Sequence, residues 1–352
     1  MRIRGSRLVT AVAVAAVTCL GLAPPAQADD DDGEVTVRPG ESIQAAIDAA
    51  DPGTEITIKR GTYEESLTIT KDGIELRGEG AVLLLPPADA DSPCGPGHGV
   101  CIVGEFDPVT FEAIDRVKDV RVRGITVDGA AASGLLAVST EDLRVSHSTF
   151  MNSGEYGAAS FDTQGTRFEE NRSHDNHEAG FYIGDSPEAD ARVEENLSTG
   201  NEIGFFFRSA SHGKVEDNKA EGNCLGILVL ADAPDPATDW KVEDNRVADN
   251  NKVCPGVPPD IPPLSGAGIV MFGAQAFQVE DNRVTGHTSA APSAAQGGIV
   301  VLTGFAGTEP SGKVEDNRLS GNTLDILSAH NGDVRFDDNR CDTSDPDGLC
   351  DG

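Results

Sequence analysis

A four-residue motif, Val-Glu-Asp-Asn, recurs along the second half of this 352-residue chain. Its identical copies end at Asn218, Asn245, Asn282 and Asn317. Relaxed copies with an acidic pair in the middle end at Asn171, Asn196 and Asn339. Successive asparagines lie 22 to 37 residues apart, and a repeat of that length is typical of a solenoid in which each repeat forms one coil. We therefore expect one continuous solenoid domain rather than two globular domains.

Each coil contains a second asparagine about five residues after the first, then a glycine and a short apolar run. Such runs occupy residues 226–230, 268–272 and 298–302. Runs this short between glycines predict β-strands that pair in parallel with neighbouring coils. The asparagines are predicted to adopt the left-handed backbone of a tight turn and to stack in a hydrogen-bonded ladder. The Glu-Asp pairs before them are expected to point into solvent.

The N-terminal segment has the pattern of an export signal. Arginines at positions 2, 4 and 7 precede an apolar stretch over 8–22 and the triplet Ala26-Gln27-Ala28. This order predicts a signal peptide over residues 1–28, cleaved near Ala28, and a mature domain over 29–352. No later segment is apolar enough to cross a membrane. We therefore expect a secreted, monomeric protein without a membrane span.

The chain is strongly acidic, with a formal net charge of −32 at pH 7. Binding to nucleic acid or to an anionic membrane needs clustered lysine and arginine, so neither partner is predicted. The charge permits binding of Ca²⁺, although no cofactor is expected to be required. The tail from Asp342 to Gly348 resembles an acidic calcium loop, but its ligand spacing differs from that of such loops. The alternative is that the charge serves solubility outside the cell.

Six cysteines follow the signal segment, and an even number in an exported chain predicts disulfides. Sequential pairing is expected because the members of each pair lie close in the chain or one coil apart. The expected pairs are Cys94 with Cys101, Cys224 with Cys254, and Cys341 with Cys350. The last pair would close a polar tail over residues 341–352. Zinc is not expected, because the sequence has no Cys-x-x-Cys motif and no clustered Cys/His spacing.

The first coil of the mature chain begins with a strand and continues into a predicted helix over residues 42–50. Ser42 can cap this helix, and Ile43, Ala46 and Ile47 fall on one face. Short strands separated by glycine-containing turns follow, as far as Arg77-Gly78-Glu79-Gly80. An open solenoid end would expose the core and unpaired strand edges, so the helix is predicted to cap the solenoid.

This first coil and the later coils resemble the secreted bacterial right-handed parallel β-helix proteins of the pectin lyase-like superfamily. The resemblance covers nearly the whole mature chain. It implies an all-β fold, a right-handed parallel β-helix (a single-stranded solenoid) with a short N-terminal capping helix. The superfamily includes pectate lyases, polygalacturonases, alginate epimerases and lyases, phage tailspikes and proteins without established activity, so the fold alone does not choose a function. The Asn-Thr-Asp motif of polygalacturonases and the Asp-Pro-His motif of alginate epimerases are absent from this sequence.

Enzymes with this fold, as the resemblance implies, act in a groove along one parallel sheet. Unlike polar residues interrupt the repeat mainly between Ser146 and Ser211. When the coils are aligned on the glycine before each strand, Asp162 and Asp185 take the same position and should lie about 5 Å apart. That spacing suits a shared cation or the carboxylate pair of a retaining glycosidase. The predicted catalytic residues are Asp162, Asp185, His177 and Arg208, with Arg208 as a candidate base for β-elimination.

Aromatic and acidic side chains in the same region are predicted to bind substrate. These residues are Tyr156, Tyr182, Glu178, Glu202 and Phe206. Glu155 and Glu202, two coils apart, should lie about 10 Å from each other, which approaches the spacing of an inverting pair. The alternative is that the phenylalanines pack in the core and the polar residues only form turns.

Two functions are compatible with these features. The first is an enzyme, a polysaccharide lyase or glycoside hydrolase, that binds and cleaves an extracellular polysaccharide. The alternative is a non-catalytic surface or matrix protein that binds a glycan or a protein partner, which the uninterrupted coils favour.

Overall fold

The computed structural model describes residues 27–28, 35–107, 113–232, 235–256, 263–293 and 295–351. Within these ranges the chain is all-β apart from the α-helix Ile43–Ala49 and the 3₁₀ turn Phe305–Gly307. Residues 1–26 of the expected signal peptide lie outside the described residues. No helix in the described part of the chain is long and apolar enough to cross a membrane.

Two long sheets contain most of the strands. The twenty-stranded sheet consists of Gln27–Ala28, Val35–Val37, Glu55–Tyr63, Glu75–Leu84, Arg121–Asp128, Arg144–Ser146, Thr149–Met151, Arg167–Glu169, Arg172–His174, Ala191–Glu194, Leu197–Thr199, Gly213–Glu216, Lys219–Glu221, Trp240–Glu243, Arg246–Ala248, Phe277–Glu280, Arg283–Thr285, Ser311–Glu315, Arg318–Ser320 and Asp333–Asp337. The eleven-stranded sheet consists of Leu67–Ile69, Val100–Val103, Leu135–Val138, Ala158–Phe161, Ala179–Ser186, Ile203–Ala210, Leu225–Leu230, Ala267–Phe272, Gly297–Leu302, Ile326–Ala329 and Ser344–Asp345. Smaller pairings join Glu105–Phe106 to Ala113–Asp115 and Val117–Lys118 to Thr140–Glu141.

Equivalent strands of successive coils pair in parallel and in register. Val215 pairs with Val242, and Val242 pairs with Val279, so the first residue of the repeated motif forms a vertical row. These valines are fully buried. Each contributes roughly 1.5–3 kcal/mol of burial free energy before the entropy of ordering is subtracted. The predicted all-β parallel β-helix is confirmed.

The asparagines at the end of each motif form the predicted ladder. Asn245 donates from Nδ2 to Oδ1 of Asn282 at 3.0 Å, and its own Oδ1 accepts the backbone N–H of Asn218 at 3.0 Å. The same pattern runs from Asn171 to Asn339. These side chains are at most 1% exposed, so the ladder lies inside the coils and joins each one to the next.

The position of the left-handed backbone differs from the prediction. The residue before each asparagine adopts it, with φ of 54° at Asp217 and at Asp244. The turn at the aspartate directs the following asparagine inward and leaves the carboxylate exposed. The expectation that the glutamates point into solvent was wrong for Glu243, which is only 8% exposed. It lies between Lys214 and Lys241 and forms an ion pair with each, at 2.6 Å for Lys214.

A second ladder runs parallel to the first and contains one substitution. It consists of Asn176, Asn201, Asn223, Asn250, His287 and Asn322. The fully buried His287 replaces asparagine: Nε2 accepts from Asn250 at 3.1 Å, and Nδ1 donates to Asn322 at 3.0 Å. Because Asn250 presents N–H and Asn322 presents an oxygen, the network fixes the neutral Nδ1–H tautomer. Burial lowers the pKa of His287 to about 4, against a smaller raising effect of Asn322 and Asp249.

Because His287 is buried in its neutral form, we predict that acid destabilises the fold. The unfolded chain protonates His287 near its ordinary pKa of 6.5, whereas the folded chain resists protonation until pH is about 4. The free energy of unfolding should therefore fall as pH decreases from 6.5 to 4, by about 3 kcal/mol from this group. Urea unfolding at a series of pH values measures this loss, and His287→Asn should reduce it. An unchanged pH dependence in His287→Asn would contradict the prediction.

The capping helix and the disulfides lie where the sequence indicates. Helix Ile43–Ala49 begins after Ser42, whose Oγ accepts the N–H of Ala45 at 3.1 Å. Glu65 accepts further N–H groups of the first turn, including that of Ile43 at 3.0 Å. The structure contains the three expected disulfides, Cys94–Cys101, Cys224–Cys254 and Cys341–Cys350.

Candidate functional site

The carboxyl ends of the strands in the eleven-stranded sheet bring Asp162 and Asp185 together. Phe161 pairs with Gly184, and Gly184 pairs with Arg208. The next residues, Asp162, Asp185 and Ser209, therefore occupy one row on adjacent coils. All three adopt the left-handed backbone, with φ of 47° to 50°. Adjacent coils are about 4.8 Å apart, so the spacing expected from the alignment of the coils is present in the backbone.

An open cleft of about 980 Å³ lies over this row. One wall is the segment 113–118, and Asp235 and Pro236 form part of the opposite wall. The acidic side chains that line the cleft are Asp115, Glu141, Asp162, Asp185 and Asp235. The basic ones are Arg116 and Lys118. Lys118 forms an ion pair with Glu141 at 2.7 Å and Arg116 pairs with Asp162, so both cations are neutralised and the cleft is acidic.

Asp162 is held as a hydrogen-bond acceptor on the cleft floor. Arg116 Nη2 donates to its Oδ1 at 2.6 Å, and Ser139 Oγ donates to its Oδ2 at 3.1 Å. Arg116 also donates to the backbone carbonyl of Asp162. These contacts fix both the backbone and the carboxylate. Asp162 can therefore present an oriented carboxylate to a bound molecule.

Asp185, one coil further, has a different environment. Reduced hydration in the cleft raises its pKa, although the side chain keeps contact with solvent. Arg208 opposes this increase, and the nearby Asp235 and Asp232 add to it. The two carboxyl groups are therefore not equivalent: Asp162 accepts hydrogen bonds from Arg116 and Ser139, and Asp185 favours its protonated form more than an ordinary aspartate does.

Arg208 forms an ion pair with Asp232, which lies outside the row of Asp162, Asp185 and Ser209. Its Nε donates to Asp232 Oδ2 at 2.9 Å, and its Nη2 contacts the same oxygen. The hydrogen bond with Asp232 raises the pKa of Arg208 further above its ordinary value. A guanidinium held protonated in this way is poorly suited to accept a proton, which argues against its predicted role as a base.

The outer face of the same sheet carries an aromatic cluster. Tyr182 lies at its centre, with ring centroids 4.7 Å from Tyr156, 4.8 Å from Phe161 and 5.1 Å from Phe206. The Tyr182 ring passes over Gly184, where any Cβ would lie 2.1 Å from the tyrosine hydroxyl. Tyr182 is only 1% exposed, so it packs beneath the surrounding rings and is not itself available to a substrate. Tyr156 and Phe206 are partly exposed and remain candidates for contact with substrate.

The other predicted residues lie at the opposite end of the strands. His177 and Glu178 precede strand Ala179–Ser186, and Asp185 lies near its end. Eight residues of extended chain span roughly 25 Å, so His177 does not join the aspartates. Glu178 and Glu202 occupy adjacent coils there, and reduced hydration raises the pKa of Glu202 while His177 lowers it. The structure thus divides the predicted site into two ends connected by the aromatic cluster.

Several cleft residues were missed by the sequence analysis. They are Arg116, Lys118, Glu141 and Asp235, together with Asp232, which forms an ion pair with Arg208. Arg116 reaches Asp162 across 46 residues, and Asp232 follows a strand in a segment with no repeat pattern. For all of these except Glu141, the sequence signal was that the segments 105–118 and 231–239 depart from the repeat.

Metal-binding geometry is absent from the part of the chain that the structure describes. No group of three or more His, Cys, Asp or Glu side chains there could hold a metal ion. The expectation that Ca²⁺ can bind stays a prediction.

Comparison with known proteins places the chain among β-helical proteins. The family model described as "Right handed beta helix region" matches residues 123–310, more than half of the chain. The chain is similar to the A-module of mannuronan C-5 epimerase AlgE4 from Azotobacter vinelandii, with 17% identity, a TM-score of 0.56, and coverage of 86% of this chain and 94% of that one. The chain is also similar to the AlgE6 A-module of the same organism. The identity is 16% and the TM-score 0.57, with coverage of 85% of this chain and 94% of that one.

A third similar structure is DFA-IIIase from Arthrobacter chlorophenolicus A6 in complex with DFA-III. Its identity is 12% and its TM-score 0.51, over 84% of this chain and 78% of that one. No curated protein matches the sequence. At these identities the similarity concerns the fold alone.

Proposed function

Because this chain belongs to the right-handed β-helix family, we propose that it is an exported protein that binds and hydrolyses an extracellular polysaccharide in the cleft over Asp162 and Asp185. The observation that carries the proposal is the pair of non-equivalent carboxyl groups on adjacent coils at the cleft floor. The A-modules of the similar epimerases are named for action on mannuronan, which supports a polysaccharide as ligand. Three disulfides support export to an oxidising compartment.

The two aspartates suit the two roles that glycoside hydrolysis requires. Asp185, with its raised pKa, is assigned as the acid that protonates the leaving oxygen. Asp162, oriented by Arg116, is assigned as the nucleophile. The backbone positions of the two residues are about 4.8 Å apart, a spacing compatible with the short carboxyl separation of retaining enzymes. Hydrolysis is favoured over β-elimination, because the hydrogen bond from Arg208 to Asp232 keeps the guanidinium protonated and makes it a poor base.

The charge of the cleft favours a neutral polysaccharide. Among the described residues, five acidic side chains line it, and the two lining cations are already neutralised by Glu141 and Asp162. A polyuronate would bring further negative charge close to these carboxylates. Partly exposed Tyr156 and Phe206, in the aromatic cluster of the same sheet, offer apolar faces to sugar rings.

Incubation of the protein with a panel of soluble neutral and acidic glycans tests the proposal. We expect new reducing ends from a neutral glycan, without unsaturated products. Unsaturated ends from an acidic glycan would replace hydrolysis with elimination. Neither product across the panel, with or without Ca²⁺, would reject catalysis.

Binding without cleavage is the second candidate function. The hydrogen bonds from Arg116 and Ser139 to Asp162 favour it, since a carboxylate that accepts hydrogen bonds is a weaker nucleophile. The same glycan panel distinguishes the two functions, because a binding protein would retain a glycan on a column and release it unchanged.

A further inference from the structure

A row of cations follows the long axis of the molecule on the outer face of the twenty-stranded sheet. Lys219 pairs with Arg246, Arg246 with Arg283, and Arg283 with Arg318. A single bridge extends the row from Arg318 to Arg340. All five side chains are exposed. Parallel register therefore places one cation on each of five successive coils, with a repeat of about 4.8 Å.

The side chains of this cation row are largely unpaired, in contrast to other lysines on the same sheet. Lys214, Lys241 and Lys313 each form ion pairs with two glutamates. In the described parts of the chain, Arg246 is the one member of the cation row with an ion pair, to Glu221 at 3.3 Å. Among the described residues the other four cations of the row have no ion pair, in a chain with a net charge of −32.

The surface beside the cation row is open. Residues two positions further along each strand follow the same face; beside Arg283 and Arg318 these are Thr285 and Ser320, which are small and partly or fully exposed, whereas Ala248 beside Arg246 is buried. Thr285 and Ser320 leave the guanidinium groups of Arg283 and Arg318 accessible along one side. On the other side, beyond the buried asparagines, runs a row of exposed aspartates that includes Asp281 and Asp316. A ligand would therefore lie along the side with the small residues.

We propose that the cation row binds an extended acidic polysaccharide that carries one anionic group per sugar. The repeat of about 4.8 Å is comparable to the length of one pyranose residue, so successive carboxylates or sulfates can meet successive cations. The planar fork of arginine matches both groups. Single-stranded nucleic acid fits less well, because the described residues of the row and of its small-residue side include no aromatic ring on which a base could stack. This site lies on a different sheet from the cleft and does not depend on the proposed hydrolysis.

Binding of polygalacturonate, with neutral dextran as the control ligand, tests the proposal at low ionic strength. Wild-type protein should bind polygalacturonate and not dextran through this row, and added salt should weaken the binding. The double variant Arg283→Gln/Arg318→Gln should bind roughly tenfold more weakly, since each exposed ion pair contributes a few-fold. Arg60→Gln/Arg123→Gln removes the same charge from exposed positions outside the row and should retain the wild-type affinity. Asp185→Asn should also retain it, which separates this site from the cleft.

Three results would overturn the proposal. Equal weakening by the two double variants would show that only net charge matters. Tighter binding of single-stranded oligothymidylate or of anionic lipid vesicles, lost in Arg283→Gln/Arg318→Gln, would assign the row to another class of partner. Self-association of the wild type that the same variant abolishes, without binding of polygalacturonate, would assign it to a second copy of this chain.

Discussion

Replacement of Asp185 by asparagine is expected to lower the rate of glycan hydrolysis by roughly 10²–10⁴-fold, the usual contribution of a general acid. Asparagine preserves the size of the side chain and tolerates the left-handed backbone at this position, where φ is 50°. The amide cannot protonate a leaving group. In the wild type, activity should fall as pH rises above the raised pKa of Asp185, because the acid is then ionised. Reducing-end release measured over pH should show this alkaline limb in the wild type.

Two further variants sharpen the test. Asp162→Asn should also abolish turnover, and a substrate with a good leaving group should rescue Asp185→Asn but not Asp162→Asn, since only the first variant lacks the acid. Asp217→Asn is the matched control, because Asp217 is exposed, has a φ of 54° and belongs to another turn. Full activity in both Asp185→Asn and Asp162→Asn, with a glycan that the wild type cleaves, would refute the assignment.

Much of the fold could be predicted because the repeat determines the register. Once Asn218 and Asn245 occupy equivalent positions, the valines three residues earlier must stack as well, and the structure pairs them. The capping helix was predictable from the local pattern of Ser42 and Ile43. The left-handed residue was misplaced by one position, because asparagine and aspartate both tolerate this backbone. Only the need to bury the amide in the ladder decides between them.

The candidate site was only partly predictable. The alignment of glycines placed Asp162 and Asp185 in one row, since that row depends on the repeat alone. The partners of that row come from segments outside the repeat: Arg116 from 105–118 and Asp232 from 231–239. No periodicity relates those segments to the coils, so their contacts are decided by packing. The burial of Tyr182 likewise depends on the absence of a side chain at Gly184.

Replacement of Asn245 by alanine is expected to cost about 3–5 kcal/mol of unfolding free energy, the largest effect on stability that we predict. The fully enclosed amide donates to the carbonyl of Val215 at 2.8 Å and to Asn282, and it accepts the backbone N–H of Asn218. Alanine leaves at least two of these buried groups without partners, and each loss costs about 1–3 kcal/mol. The free energy of unfolding in urea measures the effect.

Loss of the Asn245 amide should also weaken the coupling between coils, because the stability of a solenoid depends on contacts between neighbouring repeats. Hydrogen exchange should therefore accelerate first for the backbone N–H of Asn218, which loses its acceptor. Asp244→Asn is the matched control, one residue away and exposed, with a φ of 54° that asparagine tolerates. Its pKa is raised by reduced hydration and by Asp281 and Asp217, so removing its charge should leave the fold unchanged or slightly more stable. Equal unfolding free energies for Asn245→Ala and Asp244→Asn would mean that the ladder contributes no more than the exposed aspartates beside it.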